Sequence, residues 1–268
     1  MTQIKITILG CGSSGGVPRV GIGWGDCDPN EPRNRRRRCA LLVERLSEDG
    51  GRTAVLIDAG PDLREQLLSV NCHTLDAVLL THDHADHLHG IDDLRGIVLR
   101  NRHRLPVYMD QRTSEGVLMR FRYAFYAEEG SGYPPIFSHH ELVAGHITTI
   151  HGKGGPIDFL PFDVHHGSMD ALGFRIGDVA YTPDVHDIPP VSFSALQGLD
   201  VWIIDALRYT KHVSHFNLDD ALLWIERLEP KRALLTNMHH DLDYATLCNT
   251  LPDSIRPAYD GLEISYSV

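Results

Sequence analysis

A chain of 268 residues, 42% of them hydrophobic, carries enough apolar side chain to bury one large core or two small ones, and its apolar runs are too short to span a bilayer. A net charge of −11 argues against a broad nucleic-acid or anionic-membrane partner, since phosphate attraction needs a basic surface. The five cysteines, odd in number and scattered at Cys11, Cys27, Cys39, Cys72 and Cys248, make no disulfide framework and point to a reducing cytoplasm.

The chain opens on a strand pattern over residues 4–9, with neither the basic head nor the small-residue cleavage site of a signal peptide. A glycine-rich loop follows, Gly10-Cys11-Gly12-Ser13-Ser14-Gly15-Gly16-Val17-Pro18, and then Arg33 and the run from Arg35 to Arg38. The loop spells G-x-G-x-x-G, but Val17-Pro18 stands where a dinucleotide fold would start its helix, and no acidic residue closes a second strand at the required distance. A tight loop bordering a ligand suits it better, because glycine lets backbone approach closely. Strand-like runs at 40–44 and 53–58 come next, then a helical run at 61–69 and a strand at 77–81. Further strands are expected at 106–109, 159–164, 173–176, 179–182, 201–205, 233–236 and 262–266. The clearest helix covers 218–228, with Leu218, Ala221, Leu222, Ile225 and Leu228 on one face, Asn217 as its cap, and Asp219 and Asp220 in its first turn. Strands interleaved with helices predict mixed sheets covered by helices, an α/β domain over 1–268 with no linker long enough to divide it. The segment 113–142, rich in aromatics and arginines, stands out as an inserted helix and loop, either a lid or a contact for a second subunit.

The strand at 77–81 ends in Thr81-His82-Asp83-His84-Ala85-Asp86-His87. His82 and His84, two apart on extended chain, point the same way, and Asp86 and His87 follow once the chain turns. Imidazole nitrogen mixed with carboxylate oxygen is a donor set that zinc favours. Later strands end alike, in His165-His166-Gly167, in Thr182-Pro183-Asp184 and in Thr236-Asn237-Met238-His239-His240. Asp58 and Asp205 each end a strand, where they suit hydrogen bonds to ligand imidazoles; helix capping is an equal reading for Asp58. The arginine run reads either as a solvated face or as guanidinium forks for a phosphorylated substrate.

The H-x-H-x-D-H string and the order of these strand ends resemble the metallo-β-lactamase superfamily. That resemblance implies a four-layer αββα sandwich, two mixed sheets flanked by helices, with two divalent metal ions, zinc first and manganese or iron as alternatives. It implies that His82, His84 and His166 hold one ion, that Asp86, His87 and a C-terminal histidine hold the other, and that Asp184 bridges them. His166 is preferred to His165 because relatives place this ligand six or seven residues before a Gly-aromatic pair, here Gly173-Phe174. Relatives read Leu-Thr-His at the last ligand; Asn237 stands there in this chain, so His239 is expected in the role, with His240 the alternative.

Within the superfamily, nearly the whole chain is similar to the phosphodiesterase branch. That branch includes the carbon–phosphorus lyase pathway enzyme that opens a ribose cyclic phosphate and, more distantly, ribonuclease Z. The glycine loop with its arginine run, and Ser214-His215-Phe216-Asn217, carry the likeness. The branch implies hydrolysis of a phosphodiester in a small phosphorylated or cyclic phosphate substrate by metal-bound hydroxide. Asp86 and His215 would serve the chemistry, and Ser13, Ser14, Arg35 and Arg37 would contact the substrate. Two departures stand out. The clustered cysteines that hold a structural zinc in relatives are reduced to Cys27, with Cys39 and His240 further off, which puts a third zinc in doubt; and no basic Gly-rich arm for transfer RNA is present. Thioester or lactam hydrolysis remains an alternative, as does a non-catalytic metal-binding module, although structural sites close their coordination and this set leaves positions open. A small phosphorylated molecule is the expected partner and a homodimer a further one; no membrane partner is expected.

Overall fold

Alternation along the strands decides which side chains meet. In the strand spanning Gln3–Gly10 (β1), Ile4, Ile6 and Ile8 face one core while Leu9 faces another. The strands Ala40–Leu46 (β2) and Arg52–Ile57 (β3) repeat this, Leu41, Val43, Val55 and Ile57 turning one way and Ala40, Leu42, Ala54 and Leu56 the other. Apolar side chains on both faces mean that the sheet is covered on both sides. These relations come from a computed structural model that describes every residue except Met1, Glu128 and Ser131.

The first sheet continues through Ala77–Leu79 (β4), Leu105–Met109 (β5) and Phe137–Glu141 (β6). The second is laid down by Thr148–Ile150 (β7), Ile157–His166 (β8), Met169–Ile176 (β9), Val179–Thr182 (β10), Val201–Asp205 (β11), Arg232–Thr236 (β12) and Ile255–Pro257 (β13); Glu263–Ser267 (β14) then returns to pair with β1. Among the described residues this makes two seven-stranded sheets, ordered β14-β1-β2-β3-β4-β5-β6 and β13-β12-β11-β10-β9-β8-β7. Both are mixed: β3 to β6 run parallel and β14 to β3 antiparallel, while β10 to β13 run parallel and β7 to β10 antiparallel. Helices Leu63–Ser69 (α1), Ala85–Leu88 (α2), Arg95–Asn101 (α3) and Gln111–Phe125 (α4) belong to the first half, and Leu218–Leu228 (α5) and Tyr244–Thr250 (α6) to the second. Residues of both sheets share the larger core, where Ile6, Val55, Phe159, Phe174 and Ile203 are buried together; Leu63, Leu67, Val98 and Val117 cover the outer face of the first sheet. The result is the expected four-layer αββα sandwich.

Helix α5 starts and stops where the sequence predicts, and the Asn217 side chain accepts from the Asp220 N–H as its cap. The described residues of the segment 113–142 form most of α4 and then β6, which pairs parallel with β5; Phe125 and Phe137 pack 5.3 Å apart in the core, while Tyr123, Tyr126 and Tyr133 are exposed. Asp58 does not cap α1, which begins at Leu63 after Asp62. Strands β6, β7 and β13 were not expected, because each is short or, like Phe-Ser-His-His-Glu in β6, mostly polar. Among the described residues no helix is long and apolar enough to cross a membrane.

Candidate metal centre

The C-terminal ends of β4, β8, β10, β11 and β12 converge, and each delivers a polar residue there, as open α/β sheets tend to do. Past β4 the chain bends at Thr81, is extended at His84 and turns into α2 at Ala85, so Asp86 and His87 enter from the first helical turn. The His84 and His166 rings meet with Nδ1 and Nε2 3.2 Å apart. Asp184 Oδ2 lies 3.6 Å from His82 Nε2 and 3.6 Å from His166 Nε2, while its Oδ1 lies 3.1 Å from His87 Nε2. Asp86 Oδ2 is 3.5 Å from the same His87 nitrogen. Two groups of donor atoms result, His82–His84–His166–Asp184 and Asp86–His87–Asp184, each with its atoms within 4.8 Å of one another.

These atoms fit divalent metal. His82 Nε2 and His87 Nε2 are buried without a hydrogen-bond partner, and both aim into the cluster. Tetrahedral zinc with bonds of ~2.1 Å holds neighbouring ligand atoms ~3.4 Å apart, close to the spacings found. Burial, with His87 adding to it, holds His82 well below its usual pKa, and burial takes His166 down to about 4, so both are the neutral imidazoles a metal requires. His87 behaves oppositely: burial disfavours its charge, but Asp184, Asp58 and Asp86 around it outweigh that and push its pKa well up. Three carboxylates at one buried imidazole call for positive charge, which a bound cation supplies.

The rings are held from behind. Asp58, at φ 66 and fully buried, accepts from His87 Nδ1 at 2.7 Å and from the Thr81 N–H at 2.9 Å and hydroxyl at 2.9 Å. His87 therefore donates from Nδ1 and keeps Nε2 aimed inward, where a cation would take the place of its second proton. His166 donates from Nδ1 to the Ser214 carbonyl at 2.7 Å and likewise keeps Nε2 aimed inward. His165 instead faces Asp170 at 2.6 Å, outside the cluster. His215 donates from Nδ1 to Asp205 at 2.8 Å and lays its ring 4.6 Å from that of His166. Burial pushes Asp205 up to about 7; for His215 burial acts downward, but Asp205 prevails and carries it up to about 9. His84, exposed, marks the open mouth of the centre.

Other expected residues lie elsewhere. His239 joins neither donor group among the described residues; its Nε2 meets the Arg19 guanidinium and its ring lies 4.1 Å from His240. Asn237, a residue not singled out as a contact, enters instead and places its amide against Asp184, Asp205 and His215. Ser13 is buried and Ser14 exposed on the glycine loop. The arginines line a separate groove of about 690 Å³, where Arg37 is committed to Asp260 at 3.0 Å and exposed Arg35 stacks 5.2 Å from Trp24. Near Cys27 the buried Arg36 guanidinium takes the space between loops, donating to the carbonyls of His239 at 3.1 Å and Leu242 at 2.6 Å and to Asn34 at 3.2 Å.

Known proteins share this fold. The family described as beta-lactamase superfamily domain matches residues 53–239. A solved structure of a new diphosphatase from the PhnP family is 33% identical, with a TM-score of 0.87 over 99% of this chain and 98% of that one. A curated octanoyltransferase of Porphyromonas gingivalis is 32% identical over 97% of this chain, which spans about half (51%) of that relative's length. The short form of human tRNase Z, 16% identical at a TM-score of 0.64 over 98% of this chain and 100% of that one, shares the fold. With the superfamily match covering the histidine cluster and one-third identity running end to end to the diphosphatase, the chain belongs to the β-lactamase superfamily and, within it, to the PhnP family.

Proposed function

We propose that this protein is a di-metal hydrolase that cleaves a phosphodiester bond in a small phosphorylated or cyclic phosphate substrate. One observation carries the two-ion reading: Asp184 offers Oδ2 to the three-histidine group and Oδ1 to His87, as a bridging carboxylate must. His82, His84, His166 and Asp184 would hold one ion, zinc being the first expectation for imidazole donors, and Asp86, His87 and Asp184 the other. Two such ions, when bound, supply a Lewis acid for phosphoryl oxygen and lower the pKa of water towards neutral.

The chain's own groups complete the chemistry. Asp86 would orient the attacking water from beside His87. His215, tied through Nδ1 to buried Asp205, keeps Nε2 for a proton to be given to the leaving oxygen. Of the expected substrate contacts, Ser14 on the glycine loop and Arg35 in the arginine groove are exposed and would meet the phosphorylated substrate, whereas Ser13 is buried and Arg37 is held by Asp260. The diphosphatase relative, matched over the whole chain, supports phosphorus as the centre attacked.

The name of the octanoyltransferase relative favours a second reading, chemistry at an acyl carbon such as a thioester, although this chain matches only half of that protein. Bis(4-nitrophenyl) phosphate should be hydrolysed in a reaction that a chelator stops and added metal restores, with small cyclic phosphates competing. Cleavage of a glutathione thioester without phosphodiesterase activity would establish the second reading. Inactivity on both with metal bound would mean a metal-dependent interaction module.

A further inference from the structure

The two donor groups are unequal, and the inequality centres on Asn237. The chain leaves β12 at Thr236 and takes φ 58 at Asn237, which puts its side chain, 1% exposed, under the centre. Its Nδ2 lies 3.2 Å from Asp184 Oδ1 and 3.2 Å from Asp205 Oδ1. An amide nitrogen has two hydrogens, and each carboxylate takes one. The 3.1 Å approach to His215 Nδ1 is then a contact, because that nitrogen gives its own proton to Asp205. Turned over, the amide would set its oxygen against two carboxylate oxygens, so the carboxylates themselves fix its orientation.

The consequence falls on the second group. The first has three imidazoles and one carboxylate oxygen; the second has one imidazole and two carboxylate oxygens, with an amide donor beside the very Asp184 oxygen it uses. An amide nitrogen occupied in this way has no lone pair for a cation. We propose that His82–His84–His166–Asp184 is a tight metal seat and Asp86–His87–Asp184 an exchangeable, oxygen-rich one. In this scheme Asn237 holds Asp184 to Asp205 where a further donor would otherwise complete the second seat. Oxygen-rich sets suit harder ions, so the second seat discriminates less against manganese or magnesium than the first does. The inference rests on the two-ion reading above.

The test counts metal, not turnover. Chelator-stripped full-length protein is titrated with zinc and separately with manganese against a chromogenic chelator, and zinc-loaded protein is desalted and analysed for metal. At saturating zinc two ions per chain are expected, with one retained after desalting and the second binding weaker by on the order of tenfold or more, the scale on which neighbouring groups alter metal affinity. Asn237→His should retain close to two and tighten only the weaker constant. Asn237→Asp, nearly the same size, should do likewise, which guards against an imidazole too large for the buried position; circular dichroism reports whether each variant is folded. Two ions bound with equal constants in the unaltered protein would overturn this inference and leave the two-ion reading standing. Folded variants whose weaker constant does not change would remove Asn237 from the explanation. A single ion at saturation would overturn the two-ion reading itself, and the unequal seats with it.

Discussion

Replacing Asp58 by asparagine would test whether the centre depends on what holds its rings from behind. Asparagine keeps the size of the side chain and tolerates the left-handed backbone that Asp58 adopts at φ 66, so the change isolates charge and acceptor capacity. The native carboxylate accepts from His87 Nδ1 and from the N–H and hydroxyl of Thr81, all buried. An amide must turn its NH2 toward one of these donors, and a buried donor left unpaired costs ~1–3 kcal/mol. Losing one partner of a buried charged pair costs ~3–5 kcal/mol. A loss of about 3 kcal/mol is therefore expected in the metal-free protein, which at ~2–4 °C per kcal/mol for a chain of this size lowers Tm by roughly 6–12 °C. Metal affinity at the His87 seat should fall ~10–100-fold, since His87 loses the bond that fixes its tautomer and orientation. Calorimetry in the presence of a chelator reads the first effect and chelator competition the second. A variant that melts within ~2 °C of the parent and holds metal equally well would show that Asp58 supports neither the fold nor the ring.

Four further changes follow from other contacts. His215→Ala should slow an alkyl phosphodiester by roughly 10²–10⁴-fold and an aryl one by less, with metal content unchanged; equal losses on both would make His215 a phosphate contact, and lost metal would make it a ligand. Asp243 caps α6 through the Thr246 N–H and holds Asn34. Burial works against its charge, but these hydrogen bonds outweigh it and bring its pKa from 3.8 down to about 2. A depressed carboxylate stabilises the fold above its unfolded pKa and loses that contribution as pH falls through the folded one. The difference between parent and Asp243→Ala, ~1 kcal/mol at neutral pH, should thus shrink as pH falls from 3.8 towards 2, and a difference that stays constant in acid denaturant melts would contradict it. Gly60→Ala would place a methyl 1.9 Å from the Asp86 carbonyl and should displace the metal-binding turn, lowering both Tm and metal retention, whereas Gly96→Ala in α3, with nothing within 4 Å, should be neutral or slightly stabilising; similar behaviour of the two variants in thermal melts would refute the steric argument.

The pattern of apolar residues alone was enough to locate β1, β2 and β3 of the first sheet and helix α5 with its Asn217 cap, because apolar patterning and capping are local physics. The spacing from His82 to His87 likewise determined a cluster at one strand end, where an extended step and a turn put imidazoles and carboxylates side by side. Tertiary structure decided what local rules cannot reach. Strand β6, polar in sequence, is a strand because β5 offers it an edge to pair with. Whether His165 or His166 faces inward depends on the register of β8 against β9, since neighbours in a strand point to opposite faces. At the end of β12, the left-handed turn at Asn237 sends its amide inward onto Asp184 and leaves His239 beside Arg19, a choice made by backbone geometry and by carboxylates from strands 53 and 32 residues earlier in the chain.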